Sequence, residues 1–122
     1  MRNVIWFVVP VFGLMTLLLS GCSDPTPPIG RDLPKTFAPN APYFDNRVKQ
    51  RFPIGSNEET LEKELREEQF VVSETSDPSS NYRHSAVYEG KDGACKESWI
   101  VRWTANEGKI TATEGRFSQV CM

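Results

Sequence analysis

The chain is expected to be an α+β protein: one N-terminal helix packed on a small antiparallel sheet of three to four strands, with one disulfide, preceded by a Pro-rich tether. Three observations carry this expectation. Leu61 and Leu65 stand four apart in a charged run that opens at Ser56, the spacing of a helix. Beyond that run the apolar period shortens to two, most clearly in Trp99, Val101 and Trp103. Upstream, proline crowds the chain so densely that neither element can form there.

Behind Arg2 an apolar stretch runs from Val4 to Leu19 and ends in Ser20, Gly21 and Cys22, the layout of a secretory signal peptide. About sixteen residues at ~1.5 Å each reach roughly 24 Å, short of the ~30 Å hydrocarbon core of a bilayer. Pro10 and Gly13 weaken the stretch further as a spanning helix. Leu19-Ser20-Gly21-Cys22 resembles the lipobox of bacterial lipoproteins. The resemblance implies that Leu19, Ser20 and Gly21 are read by the signal peptidase and that residues 1–21 are removed. Cys22 then becomes the lipidated first residue, and this covalent lipid takes the place of a cofactor. Two or three acyl chains attach a protein stably, whereas one does so only marginally. Ser23 follows the cysteine where Asp would retain an enteric lipoprotein in the inner membrane, which favours the outer membrane, periplasm-facing. Asp24, one place later, keeps the inner membrane open.

About a hundred residues remain, room for one small domain. The expected division is a lipidated, flexible tether over 22–50 and a folded domain over 51–122. The net charge is −2, with both signs interspersed and no Lys/Arg tract, so nothing suggests a grip on nucleic acid or anionic lipid. Of three cysteines one is consumed by lipid, which leaves Cys95 and Cys121 to pair in an oxidising compartment. The loop they close, about 26 residues, corresponds to roughly 3.5 kcal/mol in the chain-entropy picture. Free thiols or a redox site are the alternatives, and the wide spacing without Cys-x-x-Cys speaks against them.

Pro25, Pro27, Pro28, Pro34, Pro39 and Pro42 mark the tether. In a polyproline-II conformation about twenty residues would reach some 60 Å from the membrane. Phe37, Tyr43 and Phe44 are more aromatic than a spacer requires, and would let part of it dock on the domain or on a partner. The helix follows, opened by Ser56 and Glu59 in a capping-box pattern, with Glu58 and Glu59 at the favourable end of the helix dipole. Its many glutamates read as a solvated face, since they match neither a calcium-loop spacing nor a carboxylate pair in apolar surroundings. Strands are expected over 69–73, 82–89, 97–104 and 110–114, with Asn106-Glu107-Gly108 as a hairpin turn and Gly115 bending the chain toward Cys121.

On the third strand Trp99, Val101 and Trp103 should cover the sheet side that meets the helix. The opposite side, Ile100, Arg102 and Thr104 with Thr111 and Thr113 from the returning strand, is the expected protein-docking surface. His84 is the only histidine, with no nucleophile or orienting acid to place beside it. Zinc spacing, phosphate loop and nucleophile elbow are absent from the sequence, so neither a catalytic nor a metal role nor a small-molecule substrate is expected.

The lipobox, the Pro-rich tether, the Phe52-Pro53-Ile54-Gly55-Ser56 entry to a helix and a disulfide-bearing sheet resemble the SmpA/OmlA (BamE-like) small outer-membrane lipoproteins. That family pairs helices with a three-stranded sheet and assists β-barrel assembly. This chain departs in offering one helix by its pattern and in lacking the Gly-x-Pro turn after it. Two functions stay open: an adaptor in envelope maintenance or outer-membrane assembly that binds an envelope protein, or a tethered inhibitor or immunity protein against a cell-wall hydrolase or toxin. The inhibitor would need a protruding loop at Gly90 to Ala94 or an acidic plug from the glutamate helix.

Overall fold

The computed structural model describes residues 25–35 and 42–122. A 3-10 turn at Pro28–Gly30 is followed by helices α1 (Tyr43–Arg51) and α2 (Glu58–Glu67), then strands β1 (Val71–Glu74), β2 (His84–Asp92), β3 (Cys95–Asn106) and β4 (Lys109–Cys121). The strands form one open antiparallel sheet in the order β1-β2-β3-β4. The α+β architecture is as expected, with two helices where the pattern pointed to one.

β3 organises the sheet. Trp99, Val101 and Trp103 alternate onto one face and are buried there with Ala86, Leu61, Leu65, Phe70 and Ile110. Burying two indoles at once demands a broad cover, and α2 offers only the narrow stripe of Leu61 and Leu65. The remainder comes from residues expected to be tether. In α1, Phe44 and Val48 stand four apart and point into the core, Phe44 meeting Trp99 edge-on with ring centroids 5.1 Å apart. Pro42 precedes the first turn, where a missing N–H costs nothing, and Asp45 at the start with Lys49 and Arg51 at the end suit the helix dipole. Helix α1 lies so close to β4 that a Cβ on Gly115 would stand 2.7 Å from the Val48 side chain and 2.9 Å from the Phe44 carbonyl. Gly115 therefore does not bend the chain. It admits a helix, its N–H donates to Asp45 Oδ1 at 2.9 Å, and β4 runs on to Cys121.

The prolines upstream form a strap. Pro27, Ile29 and Gly30 are buried, and Gly30 lies directly on the Trp99 ring, leaving no space for a side chain. Arg47 of α1 donates to the carbonyls of Ile29 and Arg31 at 3.3 Å each, holding strap to helix. The folded body thus begins well before residue 51, and a freely extended tether does not describe residues 25–35 or α1. Phe37, and the lipobox residues Leu19, Ser20, Gly21 and Cys22, lie outside the described residues.

Two local details differ from expectation for clear reasons. The α2 cap is Asn57, whose side chain accepts from Thr60 N at 3.1 Å, because Ser56 is held in a bridge to β4: Ile110 N donates to Ser56 O and Gly55 N to Ile110 O, both at 2.8 Å. The β3–β4 connection is the two-residue turn Glu107-Gly108, with φ of 53° and 75°, the twist a tight hairpin requires. At the other end of that hairpin Cys95 and Cys121 are register partners and form the expected disulfide.

Gly90 of β2 gives the strap its test. A Cβ there would collide with the Pro25 backbone. Gly90→Ala is expected to lift the strap, lower the unfolding free energy by about 1–3 kcal/mol in a urea titration and open the Arg31 bond to trypsin. An unchanged midpoint with Arg31 still protected would mean that the strap does not rest on β2.

Candidate functional site

The sheet has two unlike faces. On the covered one sits a carboxylate with no exposure at all, Glu97, across from Gln119 and beneath the end of the strap. A buried carboxylate requires a partner. Lys35 supplies it, its Nζ 2.9 Å from Glu97 Oε1 and 3.5 Å from Asp92, while Gln119 Nε2 donates to the same oxygen at 3.3 Å. Burial pulls the Lys35 pKa down most strongly of the single influences. The hydrogen bond to Glu97 and the charges of Glu97 and Asp92 together outweigh it, and leave the ammonium above its ordinary 10.5. Glu97 Oε2 and Trp99 Nε1 have no hydrogen-bond partner among the described residues.

At the far end of this face, His84 stacks on Trp103 with centroids 5.5 Å apart. Glu58 Oε1 accepts from the Trp103 indole N–H at 3.3 Å and lies 3.4 Å from His84 Nε2. With Glu62, one turn along α2, these ligand atoms all lie within 4.8 Å of one another. They are the group among the described residues able to hold a divalent cation, and the sequence spacing did not show it because Glu58 and His84 are joined only by the fold. The arrangement equally serves as a polar clasp between α2 and β2, with the indole N–H fixing the carboxylate.

The open face carries Ile100, Arg102 and Thr104, expected from the sequence to form a docking surface. Cross-strand pairing places Val71, Val87, Ile100 and Arg116 in one row, and Ser73, Ser85, Arg102 and Glu114 in the next. All of these side chains are half-buried or exposed, Val71 by 70%, and no described helix lies over them. Small hydroxyls flank the apolar row: Ser73 and Ser85 approach to 3.3 Å, and Thr104 Oγ1 meets Thr111 Oγ1 at 2.9 Å. Arg102 pairs loosely with Glu114 at 3.9 Å and Lys96 with Glu89 at 3.5 Å. Counting Lys91 and Arg116, the face presents four basic and two acidic side chains, whereas α2 carries five glutamates against Lys63 and Arg66. Charge is thus divided between the sides of the molecule despite the small net value.

Ile100, Arg102, Thr104 and Thr111 are where the alternation expected them. Thr113 is not: it is 6% exposed, opposite Trp103 on the covered face. The cause is a bulge between Thr104 and Ala105, at which Thr111 becomes the extra residue of β4 and the alternation resets. Val71, Val87, Ser73, Ser85 and Arg116 join the site without having been anticipated, since strand pairing, not spacing, aligns them.

Because the folded-state pKa of Lys35 is raised, the stability it contributes is fully present below pH 10.5 and is lost as pH rises through the folded value. Lys35→Met strands Glu97 and is expected to cost about 1–3 kcal/mol at neutral pH, discounted for the partial exposure of Lys35. Glu97→Gln should restore part of that loss, and both variants should lack the alkaline decline. Urea titrations of wild type and variants across pH check this, and equal stabilities at neutral pH would contradict it.

Comparison with protein-family models, with curated proteins and with solved structures found no match for this chain.

Proposed function

We propose that this chain is a lipid-anchored bacterial lipoprotein that binds an envelope protein through the open face of its sheet and catalyses no reaction itself. The single observation that carries the binding role is that face: a row of Val71, Val87 and Ile100 ending in Arg116, edged by hydroxyls and carrying an excess of basic groups, with nothing described lying over it. A flat partner surface of complementary acidic charge with small apolar side chains fits it. The anchor rests on Leu19-Ser20-Gly21-Cys22, and Ser23 favours the periplasmic side of the outer membrane, with the inner membrane left open by Asp24. Among the described residues no helix is long and apolar enough to cross a membrane.

The inhibitor alternative has less support. Of the two features it would need, the protruding loop is missing, since Gly90 to Ala94 is the end of β2 and a two-residue turn, Gly93-Ala94, too short to enter a cleft, while the acidic face of α2 is present. Fold layout alone would not choose between the two roles, so the weight rests on the face.

Two experiments test this function. Cys22→Ser is expected to move the protein out of the membrane fraction and abolish acyl labelling, whereas retention without label would contradict the anchor. Ile100→Ser combined with Arg116→Glu should lower the unfolding midpoint only modestly, because both side chains lie on the open face and no like charges are set opposite each other. The same pair should reduce cross-linking to the envelope partner at least several-fold. Unreduced cross-linking would rule out the open face, and a muramidase or amidase as the main partner would favour inhibition over an adaptor role.

A further inference from the structure

We infer that the end of the sheet carrying the β2–β3 turn and the disulfide rests directly on the lipid surface, so that the domain stands on the bilayer with its strands rising from it. The inference depends on the lipid anchor proposed above and on where the described chain begins. Only Ser23 and Asp24 separate Cys22 from Pro25, and three residue steps span at most about 11 Å. Pro25 is fixed to the body: its backbone fills the space where a Gly90 side chain would be, and Pro27, two residues on, is buried. The lipid attachment point is therefore confined close to Gly90, in place of the long reach that an unfolded proline tether would allow.

Gly90 lies two residues before the end of β2. Around that end are gathered Lys91 and Lys96, paired across β2 and β3, the Gly93-Ala94 turn, and the Cys95–Cys121 disulfide. The final residue is held there too, Met122 N donating to Ala94 O at 3.2 Å. The surface suits a headgroup layer: Lys91 can meet a phosphate, the exposed carboxylates of Glu89 and Asp92 are each offset by a lysine, Lys96 and Lys35, at 3.5 Å, and the exposed Val120 and Met122 side chains present apolar groups to the interface. From there β3 runs about 36 Å to its far end. The acidic start of α2 is tied to that far end, Glu58 N donating to Gly108 O at 3.0 Å, which keeps the glutamates away from the phosphates. The open face then stands upright beside the bilayer, and the partner class it fits is the periplasm-facing part of a membrane-embedded protein rather than a distant structure in the cell wall.

The full-length acylated protein, reconstituted into phosphatidylethanolamine/phosphatidylglycerol vesicles with a headgroup-attached nitroxide quencher, tests the inference. A fluorescent amino acid is placed either at Lys91 or at Asn106, both exposed. Quenching is expected to be several-fold stronger at position 91, and inserting ten Gly/Ser residues between Ser23 and Asp24 should largely erase the difference. Equal quenching at the two positions in acylated, vesicle-bound protein would overturn this inference alone. A mass showing no acyl group on Cys22 would overturn the anchor, and this inference with it.

Discussion

Two indoles and a valine on one side of β3 have to be kept from water, and the rest of the molecule is arranged around that requirement. Trp99, Val101 and Trp103 are buried almost completely, yet the sheet is only four strands wide and open at both ends of its order. A ten-residue helix with a two-leucine stripe cannot cover such a surface. The chain meets the need by folding its upstream part back over Trp99, with Phe44 5.1 Å away in an edge-to-face contact and Gly30 in direct contact, while Phe117 of β4, its cross-strand partner, tilts on the ring at 4.3 Å. Close approach is possible at three places because glycine stands there: Gly30 under the indole, Gly90 under Pro25 and Gly115 under α1. A small domain with few core residues gains from both this strap and the disulfide at the same end of the sheet.

Once one face is sealed, the other is left without a described element over it. Its residues are small, hydroxylated or charged apart from the valine–isoleucine row and Val120 near the disulfide end. Strand pairing holds that row in a fixed register, and the bulge at Thr104/Ala105 determines which threonines belong to it. The opposite charges of the sheet face and α2 give the domain a direction, which a tether of two residues would convert into an orientation on a membrane. With the proposed anchor, position, surface and charge would act together: the lipid would decide where the domain stands, and the strap which way the open face looks.

Much of this was legible in the residues, and the misses share a cause. The alternation through Trp99, Val101 and Trp103, the pairing of Cys95 with Cys121, the turn at Gly108 and the amphipathic stripe of α2 are local signals or simple arithmetic, and each has its counterpart in the fold. The helix α1 was hidden by composition. Phe44, Val48 and Phe52 do recur at four-residue intervals, but flanking prolines drew the whole stretch into the tether. The strap had no periodicity to betray it, because extended proline segments make their contacts through non-local burial. Gly115 is a place of close approach and not a bend, and Thr113 turns to the covered face through a bulge that no sequence pattern shows. The Glu58–Glu62–His84 cluster and the Lys35–Glu97 pair likewise exist only after folding.

The proposed binding role depends on the division of the sheet into a sealed face and an open one. Hydroxyl-radical footprinting of the purified, disulfide-intact protein, read by mass spectrometry, measures it side chain by side chain. Ile29, Phe44, Trp99 and Trp103 are expected to be strongly protected, with Val71, Val87, Ile100 and Val120 modified well above them. Rapid oxidation of Trp99 together with Ile29 would mean that the strap does not seal the core, and protection of Val87 and Ile100 in the isolated protein would mean that the face is not open.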